Sequence, residues 1–262
     1  MISHCFTNRW PNIPVRLICF VKNHHSEGRL MSLIKPACIV SLLIVVFRVG
    51  AQAQASKEAH DHGLFPCLED GLKSSDSGCQ LLAKMQVARF PDGPLFWYLN
   101  RFPTKEAAQA AKDKSGFAVE AEGQFWLFSF GRKSAAPKQG EPVASIGPLP
   151  LTSSKLPPAK SYEIVAYLVI MPPDMYTRVH IHPGPEAWYI LSGEQCLETP
   201  AGVMKTGAGE SMVAPPMTPM RLTNNGSSTR HALFIVIHDA SQPWTIPTDE
   251  WKPTGACDSH TN

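Results

Sequence analysis

The part of the chain after Ser161 consists almost entirely of short apolar segments separated by turn residues, and this pattern limits the fold more than any other feature. The segments read YEIVAYLVIM, RVHIH, EAWYIL, EQCLET, GVMKT, SMVA, MRLTN and HALFIVIH. Turn residues stand between them, as in Pro183-Gly184-Pro185 and Asn225-Gly226. Short segments at close spacing, without a helical period, are typical of strands. We therefore predict a mainly β fold, either a sandwich or a barrel.

Three polar residues in this region have the spacing of metal ligands, namely His180, His182 and Glu186. Residues two apart on a strand face the same side, so the two imidazoles are expected to point together. The turn at 183–185 leads to a second strand, and the Glu186 carboxylate would meet both imidazoles if that strand pairs beside the first. Two neutral imidazoles and one carboxylate suit a divalent ion and leave positions open for water or substrate. The alternative is a chance cluster without a metal.

The spacing resembles the first sequence motif of the cupin superfamily, in its germin-like form. In that motif, H-x-H is followed by three residues, a glutamate, six residues and a glycine. His180, His182, Glu186 and Gly193 match it at every interval. The resemblance covers about residues 160–240.

A second cupin motif is matched in part. Gly209, Pro215 and Asn224 stand at its intervals. Met217 replaces a glycine of the family motif, and Met220 replaces the histidine that supplies the fourth metal ligand. The resemblance therefore implies a site with three ligands, and Met220 is the candidate for a weak fourth one.

The resemblance implies a double-stranded β-helix, or jelly-roll barrel, over residues 161–241 with a mononuclear site in its interior. The metal would be one divalent ion of iron, manganese, zinc, nickel or copper. Trp188 and Ile190 share the face of Glu186 by strand alternation, and Leu222 shares the face of Met220. We predict that these residues line the pocket and that Trp188 packs on a ring-shaped ligand, with barrel core as its alternative role.

Three functions follow from this interpretation. The first is a metal-dependent enzyme, of oxygenase or isomerase type, that acts on a small organic molecule. The second is a binding or sensing module with the same pocket and no turnover, with or without a metal. The third is copper binding outside the cytoplasm, since His and Met together suit copper. The catalytic residues are unknown, because no general base or nucleophile stands out in the sequence.

The N-terminal segment predicts export. Lys35, the apolar run 37–47 and Ala51-Gln52-Ala53 form a cationic start, an apolar core and a small-residue cleavage site. The run is too short to span a bilayer, which takes about 20 residues. We expect residues 31–53 to be a signal peptide of a periplasmic or extracellular protein, with a short buried helix as the alternative. Residues 1–30 are interpreted as a non-native extension before a start at Met31.

Charge argues against a nucleic-acid partner. Residues 1–53 carry six of the 24 Lys and Arg residues and one of the 22 Asp and Glu, which leaves 18 basic and 21 acidic residues in the rest. No basic patch remains that would bind nucleic acid. We expect a small-molecule ligand and no membrane partner after signal cleavage.

The remaining segments are predicted as follows. Residues 54–131 form a small strand–helix–strand module with a polar N-terminal tail, in which Thr104 begins the helix and Gly116 ends it. The aromatics of the module are assigned to its core, with the interface of a homodimer as the alternative. Residues 132–160, rich in proline and glycine, are predicted to be a linker. Residues 242–262 are predicted to be a C-terminal tail.

Four cysteines remain after signal cleavage. An even number in an exported chain suggests disulfides. Cys67 with Cys79 is the first candidate pair, because both lie in a polar stretch that lacks other stabilisation. Cys196 with Cys257 is the second, and a buried free thiol at Cys196 is its alternative.

Overall fold

The computed structural model describes residues 63–64, 77–152 and 158–258 of the chain. The predicted extension, the signal segment and Cys67 lie outside the described residues. Within the described ranges, no helix is long and apolar enough to cross a membrane.

Two five-stranded sheets face each other and enclose the interior of a jelly-roll barrel, so the predicted fold class is confirmed. The first sheet has the strand order β1 (Gly63–Leu64), β8 (Tyr176–Thr177), β14 (Arg221–Thr223), β11 (Glu194–Thr199) and β12 (Gly202–Gly207). The second has the order β13 (Ser211–Ala214), β10 (Glu186–Ser192), β15 (Arg230–Asp239), β7 (Tyr162–Met171) and β2 (Gly78–Val87). A short two-stranded sheet pairs β9 (His180–Ile181) with β16 (Ile246–Pro247).

Strand β15 shows how the sequence builds the barrel wall. Its even-numbered residues Ala232, Phe234 and Val236 belong to the apolar cluster between the two sheets, which we call the barrel interior. Its odd-numbered residues, such as Leu233 and Ile235, belong to a second cluster on the outer face. Because successive side chains point to opposite faces, a strand buried on both faces reads as one continuous apolar run.

A four-stranded antiparallel sheet covers that outer face and forms the N-terminal module. Its order is β4 (Gly116–Ala121), β5 (Gln124–Gly131), β3 (Leu95–Phe102) and β6 (Glu141–Leu149), and α1 (Lys105–Ala111) connects β3 to β4. A single turn of 3-10 helix lies at Lys133–Ala135. Aromatic and aliphatic residues of the module, among them Trp97 and Phe128, share the outer cluster with β15.

Helix α1 begins as predicted and ends earlier than predicted. The Thr104 hydroxyl accepts a hydrogen bond from the backbone N–H of Ala107 at 3.1 Å, which is an N-cap contact. The helix ends at Ala111, so the prediction that Gly116 stops it is wrong. Gly116 starts β4, where an added Cβ would lie 2.4 Å from the Phe128 carbonyl oxygen. This glycine serves the close approach of two strands.

The predicted linker 132–160 contains an edge strand. Strand β6 pairs with β3 and ends the order of its sheet. Pro142 and Pro148 lie within it. Proline lacks a backbone N–H and is tolerated on edge strands, so its presence there misled the prediction.

The barrel extends beyond the predicted limits 161–241 at both ends. Strand β2, placed in the module by the sequence prediction, pairs along β7. The predicted C-terminal tail is also structured, since β16 pairs with β9 and Trp244 is part of the barrel interior. The physical reason is long-range pairing, which local composition does not report.

A disulfide joins Cys196 to Cys257, with Cα atoms 5.5 Å apart, and confirms the second candidate pair. Both residues are buried. Cys79 is disulfide-bonded, but Cys67 lies outside the described part of the chain, so the Cys67–Cys79 pairing itself stays a prediction.

Removal of the Cys196–Cys257 bond should destabilise the fold without abolishing it. The bond closes a loop with a sequence separation of 61 residues and so restricts the unfolded chain. We expect Cys257→Ser with Cys196→Ser to lower the free energy of unfolding by about 3 kcal/mol, measured by urea denaturation. A loss below about 0.5 kcal/mol would show that the C-terminal segment is held by packing alone.

Candidate functional site

His180 lies where β9 meets the segment that carries Met220. The two residues form an antiparallel bridge, in which each backbone N–H donates to the other's carbonyl, at 3.2 and 3.0 Å. The His180 Nδ1 lies 2.7 Å from the carbonyl oxygen of Arg178. Because a carbonyl only accepts hydrogen bonds, Nδ1 carries the proton and Nε2 keeps its lone pair. His180 is therefore oriented as a neutral imidazole, and burial lowers its pKa.

His182 is fixed in the same way by the C-terminal segment. Its Nδ1 donates to the carbonyl oxygen of Trp244 at 2.7 Å, and its ring stacks on the Trp244 indole at 5.5 Å between centroids with 12° between planes. Burial holds the pKa of His182 well below its usual range, with the neighbouring His180 acting in the same direction. The centroids of the two imidazole rings are 4.9 Å apart.

Glu186 meets His182 in the interior. The Glu186 Oε2 lies 3.6 Å from the His182 Nε2, beyond hydrogen-bonding distance. Both atoms are buried, and neither has a hydrogen-bond partner among the described residues. Burial raises the pKa of Glu186 to about 8, and the positive charge of Arg230 opposes that rise. The His182 Nε2 lone pair and the Glu186 carboxyl oxygen thus face each other, and within the described part of the chain neither has the hydrogen-bond partner that buried polar atoms usually have.

The predicted route by which Glu186 reaches the imidazoles is wrong. Strand β10, which begins at Glu186, pairs with β13 and β15, whereas β9 pairs with β16. The turn at 183–185 instead docks on the end of β15, where the backbone N–H of Ile237 donates to the Pro185 carbonyl at 3.1 Å. The turn leads from β9, which pairs with β16, to β10, which lies in the sheet of β13 and β15. It still places Glu186 beside His182.

The other residues predicted to line the pocket lie together. Four side chains are buried in the barrel interior cluster: Trp188, Ile190, Met220 and Leu222. Met217, which replaces the glycine of the second motif, has a backbone φ of 58°, a left-handed conformation that favours glycine. Its backbone N–H donates to the His182 carbonyl at 2.8 Å, which joins the segment before Met220 to the histidine segment.

The element types of the donor atoms, imidazole nitrogen and carboxylate oxygen, suit a divalent ion. The Nε2 of His182 and the Oε2 of Glu186 are suitable ligands for iron, manganese, zinc or nickel, and both lack another partner in the part of the chain described. Within that part, however, no group of three or more His, Cys, Asp or Glu side chains is placed to hold a metal ion. The residues therefore fit a metal by the chemistry of their donor atoms, with the His182 Nε2 and the Glu186 Oε2 as the two atoms that face each other.

Two polar residues of the barrel interior were missed by the sequence analysis. Arg230 is fully buried, with its guanidinium carbon 4.4 Å from the centroid of the Trp188 ring. Burial lowers the pKa of Arg230 to about 9, so it stays a cation at neutral pH. Gln195 is also fully buried. The alternation of side chains along β15 could have placed Arg230 inside. A charged residue at the first position of a strand, however, is typical of an exposed turn.

Trp244 is the third residue that was missed. Its indole stacks on the His182 ring and lies 5.3 Å from the Tyr167 ring between centroids. Its backbone carbonyl accepts the hydrogen bond from the His182 Nδ1. It lies in a segment predicted as a tail, and nothing in its local sequence indicates burial. Its role comes from a contact 62 residues away along the chain.

Comparison with known proteins gives a family match over the barrel. Residues 167–237 match the family model of the cupin domain. A comparison with curated proteins found no match.

Several solved structures resemble part of the chain. The crystal structure of the DMSP lyase DddQ from Ruegeria pomeroyi is 25% identical and has a TM-score of 0.30, over 34% of this chain and 45% of that one. A protein with a double-stranded beta-helix domain from Klebsiella pneumoniae is 21% identical, with a TM-score of 0.29, over 32% of this chain and 72% of that one. An oxalate oxidase in complex with the substrate analogue glycolate is 18% identical, with a TM-score of 0.28, over 32% of this chain and 45% of that one. The chain thus spans less than half the length of the DMSP lyase it resembles. On its sequence motifs, its jelly-roll topology and the family match, the barrel of this chain is a cupin domain of the cupin superfamily.

Proposed function

We propose that the cupin domain holds one divalent metal ion through His180, His182 and Glu186 and acts on a small organic molecule, as an oxygenase or isomerase. The observation that carries this proposal is the buried pair of His182 Nε2 and Glu186 Oε2, 3.6 Å apart, which lack other hydrogen-bond partners among the described residues. Buried polar atoms without partners are costly, and a cation between them would satisfy both.

The protein's own residues supply the orientation. The carbonyl groups of Arg178 and Trp244 accept from the Nδ1 atoms of His180 and His182 and so leave each Nε2 lone pair for a metal. Such outer hydrogen bonds fix the tautomer and the ring of a ligating histidine. A bound divalent ion would act there as a Lewis acid toward a substrate oxygen. Ile190, Leu222 and Phe234 belong to the apolar barrel interior, and the Phe234 ring lies 6.1 Å from the His182 ring between centroids.

A ligand-binding module without turnover is the second candidate. It is favoured by the arrangement of the three ligands, which in the described residues do not close into a metal site. Copper binding is the third candidate and is supported by the backbone bridge between His180 and Met220. Export of the chain also remains a proposal, supported by the pattern of residues 31–53. Sequencing the N-terminus of the protein from its natural source would test it, and an uncleaved cytoplasmic product would contradict it.

Elemental analysis of the purified chain, followed by titration of the metal-free protein, tests the metal proposal. We expect one equivalent of a divalent ion per chain. Iron, manganese, zinc or nickel would support the first candidate, and copper the third. A chain that neither retains nor takes up any of these ions would leave the binding module as the function.

A histidine in place of Met220 should strengthen metal binding. Met220 stands at the fourth-ligand position of the cupin motif and is bridged to His180. We expect Met220→His to raise zinc affinity by about tenfold or more, because it adds an imidazole to the donor set. The matched variant Met220→Leu should leave zinc affinity unchanged and weaken copper, since only the thioether is lost. Competition titrations measure both, and no gain in Met220→His would contradict the placement of the site.

A further inference from the structure

Arg230 presents one unused edge of its guanidinium group inside the barrel. Its Nη1 contacts the Met171 sulfur at 3.3 Å, and its planar group lies over the Trp188 ring. The Nε and Nη2 atoms are buried and have no hydrogen-bond partner within the described residues. These two atoms carry parallel N–H bonds on the same side of the group. The free edge is therefore a pair of donors held in a fixed orientation.

Among the described residues, the positive charge of Arg230 also has no contacting anion. Across residues 63–64, 77–152 and 158–258, no carboxylate lies within 4.0 Å of its nitrogens. Glu186 shares the interior and attracts Arg230 electrostatically, but the two do not form an ion pair. Buried charges in proteins are usually paired, because removal from water disfavours an isolated one. An anion from outside the chain would complete this environment.

The same edge of another arginine shows in this molecule what such a pair of donors binds. Arg101 donates from Nε to Glu141 Oε2 at 3.0 Å and from Nη2 to Glu141 Oε1 at 2.6 Å. This is the two-bond contact of a guanidinium with a planar carboxylate. Arg101 and Glu141 are exposed, whereas Arg230 offers the same geometry where water does not compete.

Gln195 adds a neutral polar group near the same end of the barrel. An added Cβ at Gly193 would lie 2.7 Å from the Cα of Arg230, and Gln195 follows two residues later. Gln195 and Leu197 are two residues apart on β11 and therefore share one face of the strand. Leu197 belongs to the barrel interior, so Gln195 also points inward. Both polar atoms of its side-chain amide are buried without a hydrogen-bond partner among the residues described. Two unpartnered polar side chains thus meet the apolar interior at one end.

We propose that the Nε–Nη2 edge of Arg230 binds the carboxylate group of a small ligand in the barrel interior. Two parallel donors match the two oxygens of a carboxylate, and Trp188 holds the guanidinium plane in position. The inference rests on the proposed function in one respect, namely that the barrel interior is the ligand site. It narrows the small organic molecule to a carboxylic acid, with Gln195 as a second polar contact.

Titration of the purified full-length chain with acetate and with acetamide tests the proposal, since the two probes share a shape and differ in charge. We expect saturable acetate binding, followed by calorimetry and tryptophan fluorescence, and binding of acetamide weaker by about tenfold or more. Arg230→Met should abolish the preference for acetate. Arg230→Lys keeps the charge without the paired donors and should weaken acetate binding by about tenfold.

Arg221→Met is the matched control, because Arg221 lies in the neighbouring sheet and pairs with Asp258 at 2.8 Å. It should bind acetate as the wild type does. Equal affinity for acetate and acetamide, or unchanged acetate binding in Arg230→Lys, would overturn the proposal, and the latter variant decides the matter if Arg230→Met fails to fold. Metal content measured in the same samples separates the two proposals. Acetate binding without metal would overturn the metal site alone, and metal without acetate preference would overturn this inference alone.

Discussion

Gly184→Ala is expected to destabilise the barrel by on the order of 5 kcal/mol, enough to unfold a domain of ordinary stability. An added Cβ at this position would lie 1.6 Å from the carbonyl oxygen of Ile237 and 2.7 Å from its carbonyl carbon. Both atoms belong to the backbone of β15, a central strand, so no side chain can rotate away to make room. The turn at 183–185 would have to leave β15, and Glu186 would move with it.

The matched control is Gly207→Ala on β12. The nearest atom to an added Cβ there is the end of the Glu210 side chain at 4.0 Å, so we expect a change within about 0.5 kcal/mol. Urea denaturation followed by circular dichroism measures both variants. If Gly184→Ala is as stable as Gly207→Ala, the turn at 183–185 does not pack closely against the β15 backbone. The close packing would then not explain why Glu186 lies beside His182.

The strands of the barrel could be predicted because their signal is local. In β15, alternation alone separates Phe234, which faces the interior, from Leu233 and Ile235, which face the N-terminal module. The pairing of strands is a different matter, because it depends on residues far apart along the chain. The sequence analysis could therefore bring Glu186 to the imidazoles only on the condition that its strand pairs beside the histidine strand, whereas each of the two pairs with other strands.

The candidate site was predicted in part for the same reason. His180, His182 and Glu186 are close in sequence, so a motif could reveal them. Trp244 reaches the site through a segment whose composition resembles a loop, and Arg230 reaches the interior from a strand end. The alternation of β15 gives the face of Arg230, but it does not tell that this end of the strand is covered and that the arginine lies beside an indole. Contacts of this kind become visible only when the sheets are assembled.

His182→Ala is expected to lower the affinity of the chain for a divalent ion by at least about 100-fold. The substitution removes the Nε2 that faces Glu186 at 3.6 Å, and it leaves the carboxyl group alone in an apolar interior. It also frees the Trp244 carbonyl, so a loss of stability is expected alongside the loss of metal. His182→Gln keeps a polar side chain at the position, and should lose the metal by a similar factor while it keeps more of the stability.

His231→Ala provides the control for both variants, because His231 is a partly exposed residue at the start of β15 that pairs with Glu122 at 2.8 Å. It should bind metal as the wild type does. Competition against a chelating indicator, with stability measured in parallel, separates ligand loss from unfolding. If folded His182→Gln binds the ion as tightly as His231→Ala does, His182 is not a ligand. The unpartnered Nε2 and Oε2 atoms would then serve the organic ligand directly, and the cupin barrel would function as the binding module.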